Sequence, residues 1–256
     1  MLSELLKLDN VTIKFGGLTA VDSLNMALPE GSIRALIGPN GAGKSTIFNL
    51  VTGIYAPSKG QISFRGQIIS QLAPHIITKL GIARTFQNIR LFSNLSVMDN
   101  VRIGHHCRIK ASFIGALLRT SSIKKEEAHT RQQSLDCLAL MELADKADEM
   151  AGNLSYGEQR RLEMARALAT NPSLLCLDEP AAGMNPIEKE TLAKMIKKIQ
   201  NMGITVFLVE HDMKFVMNLA EMVTVLDYGK KITSGTPAEV QRNPAVIEAY
   251  LGKKVG

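Results

Sequence analysis

The chain has 256 residues, of which 45% are hydrophobic and 21% charged, with 20 Gly, 9 Pro and no Trp. This composition is typical of a globular protein with a buried core, and it excludes fibrous and disordered chains. Lys and Arg outnumber Asp and Glu by 30 to 24, which allows a polyanionic ligand, nucleic acid or an anionic membrane surface as a neighbour without choosing among them.

Apolar stretches stay far below the roughly 18 residues that cross a bilayer, and the N-terminal segment lacks the pattern of a secretion signal. We therefore expect neither a membrane span nor secretion. The cysteines Cys107, Cys137 and Cys176 are odd in number and widely spaced, which favours free thiols in a reducing cytosol. His105 and His106 precede Cys107 without the spacing of zinc ligands, so a solvated loop is the preferred interpretation.

The first part of the chain alternates short β-like segments with turns. The segments at 5–15, 24–28 and 61–69 predict an antiparallel β subdomain. Between them, the apolar run 33–37 enters a Gly-rich loop, which predicts a strand, a loop and then a helix. The helix is indicated by apolar residues at helical spacing: Ile47, Leu50, Val51 and Ile54.

Helical patterns dominate residues 87–169 and predict a helical subdomain inserted into an α/β core formed by 1–86 and 170–256. The core resumes with apolar segments that do not alternate, at 174–177, 204–209 and 222–226, and with a helix for which Asn185 is the expected N-cap. Buried strands separated by helices imply a parallel sheet covered on both faces. The predicted fold is one α/β domain with a mixed, largely parallel sheet.

The Gly-rich loop matches the phosphate-binding P-loop pattern. Its glycines let backbone N–H groups surround phosphate oxygens at the N-terminus of the following helix. Lys44 is expected to reach the β- and γ-phosphates, and Ser45 to offer its hydroxyl to Mg²⁺. The nucleotide-binding residues predicted here are Gly38, Pro39, Asn40, Gly41, Ala42, Gly43, Lys44, Ser45 and Thr46.

A second apolar strand, 174–178, ends in two adjacent acidic residues. Asp178 is expected to bind Mg²⁺, directly or through water. Glu179 is the natural group to orient and deprotonate an attacking water, a role worth roughly 10²- to 10⁴-fold in rate. An Asp–Glu pair after a strand could otherwise be a solvated turn, but the P-loop favours the catalytic interpretation.

The segment LSYGEQ at 154–159 precedes a helix, and here the sequence resembles the ATP-binding subunits of ABC transporters, whose signature is LSGGQ. Tyr156 and Glu158 depart from that pattern. The resemblance implies that Ser155 and the backbone N–H of Gly157 grip the γ-phosphate of ATP bound to a second subunit. A simple N-cap at Ser155 is compatible with this role.

The resemblance also implies roles for residues elsewhere in the chain. Gln87, in RTFQN, takes the position of the Q-loop glutamine, which contributes to catalysis and to metal binding. His211, in VEHD, takes the position of the switch histidine, and Phe15 that of the aromatic platform under adenine. Asn185 replaces the aspartate that much of the family carries in the D-loop, which removes a charge at the subunit interface.

Segments beyond the nucleotide motifs resemble the ATP-binding subunits of Liv-type importers of branched-chain and other hydrophobic amino acids. They include 83–101, 153–170, 234–252 and SFIGALLRT at 112–120, in an extension that many cassettes lack. Urea-type and lipopolysaccharide-export cassettes share much of this sequence, so another solute stays an alternative.

The resemblance implies ATP and Mg²⁺ as ligands and a subunit on the cytoplasmic face of the cell membrane. Its implied partners are a second ATPase, either a copy or a paralogue, two transmembrane permease subunits and, indirectly, a periplasmic or extracellular solute-binding protein. A soluble ABC-type ATPase acting on nucleic acid or the ribosome is a rival, but such proteins usually have a second cassette or a long coiled-coil insertion, so no nucleic-acid partner is expected. A P-loop kinase or GTPase would not need LSYGEQ.

Overall fold

The computed structural model describes residues 4–105, 107 and 121–251. Their N-terminal part forms a four-stranded antiparallel sheet. Its strands are β1 (Glu4–Phe15), β2 (Leu18–Pro29), β4 (Lys59–Phe64) and β5 (Gln67–Ile68), in the order β2-β1-β4-β5. The predicted antiparallel β subdomain is thus present.

A six-stranded sheet forms the centre of the molecule. Its strands are β3 (Ile33–Ile37), β6 (Ile82–Arg84), β7 (Leu174–Asp178), β8 (Thr205–Val209), β9 (Met222–Asp227) and β10 (Lys230–Gly235), in the order β10-β9-β3-β8-β7-β6. All neighbouring strands pair in parallel except β10, which is antiparallel to β9. The carboxyl ends of β3, β7 and β8 therefore lie at one edge, where the predicted motifs follow them.

Helices cover this sheet and build the inserted subdomain. They are α1 (Lys44–Val51), α2 (Pro74–Leu80), α3 (Val97–His105), α4 (Ser121–Leu140), α5 (Tyr156–Leu168), α6 (Pro186–Asn201), α7 (Met213–Leu219), α8 (Pro237–Arg242) and α9 (Pro244–Leu251). Helices α3, α4 and α5 pack on one another. Within the described ranges, no helix has the length and apolar character needed to cross a bilayer.

Side-chain alternation along the central strands creates two hydrophobic cores. On β8, Phe207 and Val209 face the antiparallel sheet and α1, whereas Val206 and Leu208 face the opposite core with α5 and α6. The ring of Phe207 packs against that of Phe48 of α1, with 4.9 Å between centroids and 49° between the ring planes. Burial on both faces explains why these strands read as continuous apolar runs.

The structure corrects two local expectations and confirms a third. Helix α1 ends at Val51, so Ile54 lies beyond it and is 46% exposed instead of on the helix face. His105 lies in α3 and is buried, not in a solvated loop. Asn185 is confirmed as the N-cap of α6, because its side chain accepts hydrogen bonds from Ile187 and Glu188. His106 and the segment 112–120 lie outside the described residues.

Candidate active site

The phosphate loop connects β3 to α1 and has two glycines at which any side chain would clash with backbone atoms. Gly38 has φ +153°, and a Cβ there would overlap the carbonyl oxygen of Leu226. Gly43, the residue before α1, has φ +99°, and a Cβ would lie 2.6 Å from the carbonyl oxygen of Ala20. Close packing and left-handed backbone together require glycine at both positions.

Lys44 folds back over this loop. Its Nζ donates hydrogen bonds to the carbonyl oxygens of Gly38 at 2.7 Å and Pro39 at 2.9 Å. Burial lowers the pKa of Lys44, while the nearby carboxylates of Glu179 and Asp178 oppose that shift. The ammonium group of Lys44 is therefore held inside the loop, where it would contact the phosphates of a bound nucleotide.

A cleft with a volume of about 680 Å³ opens beside the loop. It is lined by Phe15, Leu18, Thr19, Ala20, Asn40, Gly41, Ala42, Gly43, Lys44, Ser45, Thr46, Gln87, Glu179 and Tyr228. Phe15 stands at its mouth, half-exposed, with its ring packed edge-on against Tyr55 at 5.1 Å between centroids. The cleft has the size of a small-molecule site and combines an exposed aromatic ring with a phosphate-binding loop.

Asp178, the last residue of β7, is buried behind this cleft. Its Oδ2 accepts a hydrogen bond from Arg84 Nη2 at 2.8 Å, and Arg84 Nη1 also donates to Asn49 Oδ1 of α1 at 2.6 Å. Asp178 Oδ1 is buried and has no hydrogen-bond partner among the described residues. A buried carboxylate oxygen without a partner is costly unless another ligand uses it.

Glu179 follows directly and points back toward the cleft. It has φ +48°, and its backbone N–H donates to the carbonyl of Val209, so the β7–β8 pairing fixes this strained residue. Its Oε2 accepts a hydrogen bond from Gln87 Nε2 at 3.1 Å and lies 3.8 Å from His211 Nδ1. Gln87 and His211, which were predicted from separate motifs, thus both lie next to the carboxylate of Glu179.

Glu210 is a buried acidic residue that sequence reasoning did not single out. It is 0% exposed, and its Oε1 accepts a hydrogen bond from the N–H of Ala181 at 2.8 Å. Its Oε2 accepts from the N–H groups of His211 at 3.0 Å and Asp212 at 3.3 Å. Burial raises the pKa of Glu210, although the backbone hydrogen bonds favour the carboxylate. Glu210 therefore joins the segment after Glu179 to the segment that carries His211.

The LSYGEQ segment begins α5 with a complete capping box. Ser155 is the N-cap: its side chain accepts from the N–H of Glu158, whose carboxylate accepts from the N–H of Ser155 at 2.9 Å. Lys146 Nζ contacts Glu158 at 2.7 Å, and chiefly through this pair the pKa of Glu158 falls to about 2. Gly157 lies against Glu188, since a Cβ would stand 3.1 Å from its Oε1.

The predicted residues fall into two groups. Asn40 to Thr46 of the phosphate loop line one cleft together with Phe15, Gln87 and Glu179. Gly38, Pro39, Asp178 and His211 lie beside it. Ser155 and Gly157 form the second group and are not among the described residues that line this cleft. Arg84 and Glu210 were missed, although each stands within a quoted motif, three residues before Gln87 and one before His211.

The residues available for a metal suit Mg²⁺. Within the part of the chain that the structure describes, no three His, Cys, Asp or Glu side chains form a metal cluster. The donors instead are the exposed Ser45 hydroxyl, the unpartnered Asp178 Oδ1 and the Gln87 amide oxygen. Mg²⁺ is commonly held by one or two carboxylates together with substrate phosphates and water, so this small set of oxygen donors fits.

Comparisons with known proteins give matches over most of the chain. The family model described as ABC transporter matches residues 21–182, and one described as branched-chain amino acid ATP-binding cassette transporter matches residues 230–255. The high-affinity branched-chain amino acid transport ATP-binding protein BraF of Pseudomonas aeruginosa is 40% identical over 254 residues, which cover 99% of this chain and all of the relative.

Solved structures give the same result. The ADP conformation of an ATP-binding cassette from an ABC transporter superposes with a TM-score of 0.86 and 31% identity, over 98% of this chain and all of that one. A dimeric cassette in a post-hydrolysis state with ADP and phosphate superposes with a TM-score of 0.76 and 26% identity, over 91% of this chain and 98% of that one. The predicted P-loop α/β fold is confirmed.

Proposed function

This chain is an ATP-binding subunit of the ABC transporter family, and from that premise we propose that it hydrolyses ATP to drive an importer of branched-chain or other hydrophobic amino acids. The observation that carries the proposal is the convergence of an aromatic ring, a phosphate loop, Gln87 and Glu179 on one cleft. The full-length similarity to a branched-chain amino acid transport protein supports the choice of solute.

Each residue of the cleft has a part in hydrolysis. Phe15 stacks on adenine, the loop glycines present N–H groups to the phosphates, and Lys44 neutralises the β- and γ-phosphates. Glu179 orients the attacking water and accepts its proton. His211, 3.8 Å from that carboxylate, holds the water near the γ-phosphate. The proton of the attacking water thus passes to Glu179, while the phosphate loop and Lys44 stabilise the charge on the ADP that leaves.

Mg²⁺ would be held by Ser45, Asp178 and Gln87, and it would supply positive charge that neutralises the phosphates of the nucleotide. Arg84 orients the Asp178 carboxylate from behind by binding Oδ2, which leaves Oδ1 for this role. Gln87 donates its amide N–H to Glu179, so its oxygen is directed away from that carboxylate. These contacts hold the side chains of Asp178 and Gln87 in position before nucleotide binds.

A second ATPase subunit completes the site. Ser155 and the N–H of Gly157 stand at the N-terminus of α5, where the helix dipole favours a negative ligand. We place the γ-phosphate of ATP bound to the partner there, so that ATP joins the two subunits. Moving an open–closed equilibrium from 1:99 to 99:1 takes about 5.5 kcal/mol of differential binding, which two bridging γ-phosphates can provide.

The transport partners follow from this role. The subunit would dock on the cytoplasmic face of the cell membrane under two permease subunits, and a solute-binding protein outside would deliver the amino acid to them. A groove of about 350 Å³ next to the Q-loop is lined by Arg84, Phe86, Glu163 and Arg166, and offers both apolar and charged contacts to a coupling helix of the permease. No transported amino acid contacts this chain.

The alternative within the family is a cassette for another solute, such as urea, or for lipopolysaccharide export. Assembly with the permeases of its own transporter distinguishes them. A branched-chain amino acid with its binding protein should stimulate ATP hydrolysis in proteoliposomes, whereas stimulation by urea alone would favour the alternative. A soluble ABC-type ATPase that acts on nucleic acid would instead show stimulation by RNA or DNA.

The catalytic proposal is tested by Glu179→Gln. This variant should bind ATP with unchanged affinity, accumulate as a dimer in size-exclusion chromatography and lose at least 100-fold in turnover. Glu190→Gln, which alters an exposed ion pair with Lys194 on α6, is the matched control and should hydrolyse ATP normally. Undiminished hydrolysis by Glu179→Gln would remove Glu179 as the base.

A further inference from the structure

Tyr156 stands where the signature of the resembling family has glycine, and its side chain makes contacts that glycine cannot. The ring lies against Gly183 after β7, where a Cβ would approach Tyr156 Cε1 to 3.0 Å. The hydroxyl oxygen accepts hydrogen bonds from Arg160 Nη2 at 2.9 Å and Nε at 3.3 Å. Tyr156 is 47% exposed, so these contacts, not burial, define its position.

Arg160 continues this set of contacts into the Q-loop. Its side chain is buried, its Nη1 donates to the carbonyl oxygen of Phe86 at 2.7 Å, and its Nη2 donates to that of Gln87. A guanidinium group is planar and its donors point in fixed directions, so an acceptor on one edge orients the bonds on the other. The Tyr156 hydroxyl thus fixes the plane in which Arg160 holds the two carbonyls.

Glu163, one turn further along α5, holds the amide side of the same segment. Its Oε1 accepts from the N–H groups of Phe86 and Arg90, each at 3.4 Å. Carbonyl and amide groups of the Q-loop backbone are therefore both attached to α5. The Gln87 side chain leaves this anchored backbone and donates to Glu179 Oε2 at 3.1 Å.

We propose that Tyr156 is a positioning residue which, through Arg160, sets the place of Gln87 relative to Glu179. The proposal rests on the catalytic roles given above to those two residues. A continuous series of contacts runs from Gly183 through Tyr156 and Arg160 to Gln87. The tyrosine thereby adds a further connection between α5, the segment after β7 and the Q-loop.

The test is a double-mutant cycle on ATP hydrolysis by the full-length chain. Tyr156→Phe keeps the ring and removes the acceptor for Arg160, and we expect kcat to fall about three- to tenfold with KM and ATP affinity unchanged within about twofold. In the Gln87→Ala background the same substitution should have no further effect, because the residue it positions is gone. Arg160→Lys should behave like Tyr156→Phe.

Arg161→Lys is the matched control. Arg161 is adjacent on α5 but donates to the carbonyl of Met141 and pairs with Glu142, away from the Q-loop. It should leave kcat unchanged. An independent readout that needs no turnover is amide hydrogen exchange: Tyr156→Phe should speed exchange at 86–90 but not in α3.

Unchanged kcat in Tyr156→Phe, or an equal fold-loss in both backgrounds, would overturn the proposal, as would unchanged exchange at 86–90. A lower melting temperature with normal kcat would also contradict it, since it would indicate a purely structural tyrosine. Failure of the catalytic proposal looks different: Glu179→Gln would then hydrolyse ATP, whatever the behaviour of Tyr156.

Discussion

Replacing Glu210 by Gln tests whether one buried carboxylate holds two catalytic segments together. The carboxylate accepts three backbone hydrogen bonds, one from Ala181 and two from His211 and Asp212. Glutamine has only one side-chain oxygen. In its more favourable orientation this oxygen accepts from the N–H groups of His211 and Asp212, and the NH₂ group faces the N–H of Ala181. That buried donor loses its partner, which costs about 1–3 kcal/mol. Part of the cost is offset because burial already opposes the charge, as the raised pKa of Glu210 indicates.

The expected result is a loss of about 1–3 kcal/mol in the free energy of unfolding, measured by urea titration, with unchanged affinity for a fluorescent ATP analogue. Because the segments bearing Glu179 and His211 lose their common anchor, kcat should fall about five- to tenfold. Glu239→Gln is the control, since Glu239 accepts the N–H of Thr236 in a capping box of α8. The control should keep its stability and kcat, because Gln also closes a capping box. If Glu210→Gln likewise kept full stability and full kcat, the reasoning would be refuted.

Three further predictions concern the phosphate loop and the signature helix. Lys44→Ala should weaken ATP binding at least tenfold in calorimetry, and normal affinity would contradict its role at the phosphates. Gly43→Ala should abolish ATP binding in the same assay, because its Cβ would clash with the carbonyl of Ala20 at a backbone φ of +99°. Gly41→Ala, at φ +81° but with open space around it, has the backbone strain without the clash and should lose less. The pKa of Glu158, about 2 against an ordinary 4.5, gives stability that is complete above pH 4.5 and lost as the pH falls toward 2. Lys146→Met should therefore reduce the decrease in the free energy of unfolding between pH 6 and 3, measured by urea titration at each pH. The same decrease in the variant as in the parent protein would refute the pairing.

The sequence predicts the architecture well where burial decides it. Strands buried on both faces are readable as uninterrupted apolar runs, and the N-cap at Asn185 follows from its side-chain chemistry. Helix length was less predictable, because Ile54 continues the helical pattern although the chain leaves the helix before Gly53, which has φ +73°. The spacing of apolar residues does not show where the backbone adopts a left-handed conformation and ends the helix.

The supporting residues of the site could not be read from the sequence. Arg84 and Asp178 are 94 positions apart, and only the adjacency of β6 and β7 brings them together. In the sequence, Glu210 is not distinguishable from any other polar residue after a strand. Its burial and its hydrogen bond with Ala181 are defined by the tertiary structure. Motifs reveal the groups that would contact nucleotide, whereas the groups that hold those motifs in place are defined by the tertiary structure.

The departures from the family signature also acquire physical meaning. Glu158 places a carboxylate beside Ser155, where a phosphate is proposed to bind, and Lys146 compensates that charge at 2.7 Å. Tyr156 adds contacts to Gly183 and to Arg160, which in turn binds the Q-loop carbonyls. The D-loop residue Asn185 retains the capping function without adding a charge at the proposed interface.

The most direct test of the account is a structure of Glu179→Gln, assembled with its transporter partners and saturated with ATP and Mg²⁺. It should show Ser155 Oγ and the Gly157 N–H within hydrogen-bond distance of the γ-phosphate on the other ATPase subunit. ATP held by the phosphate loop while both groups face solvent would contradict the shared site.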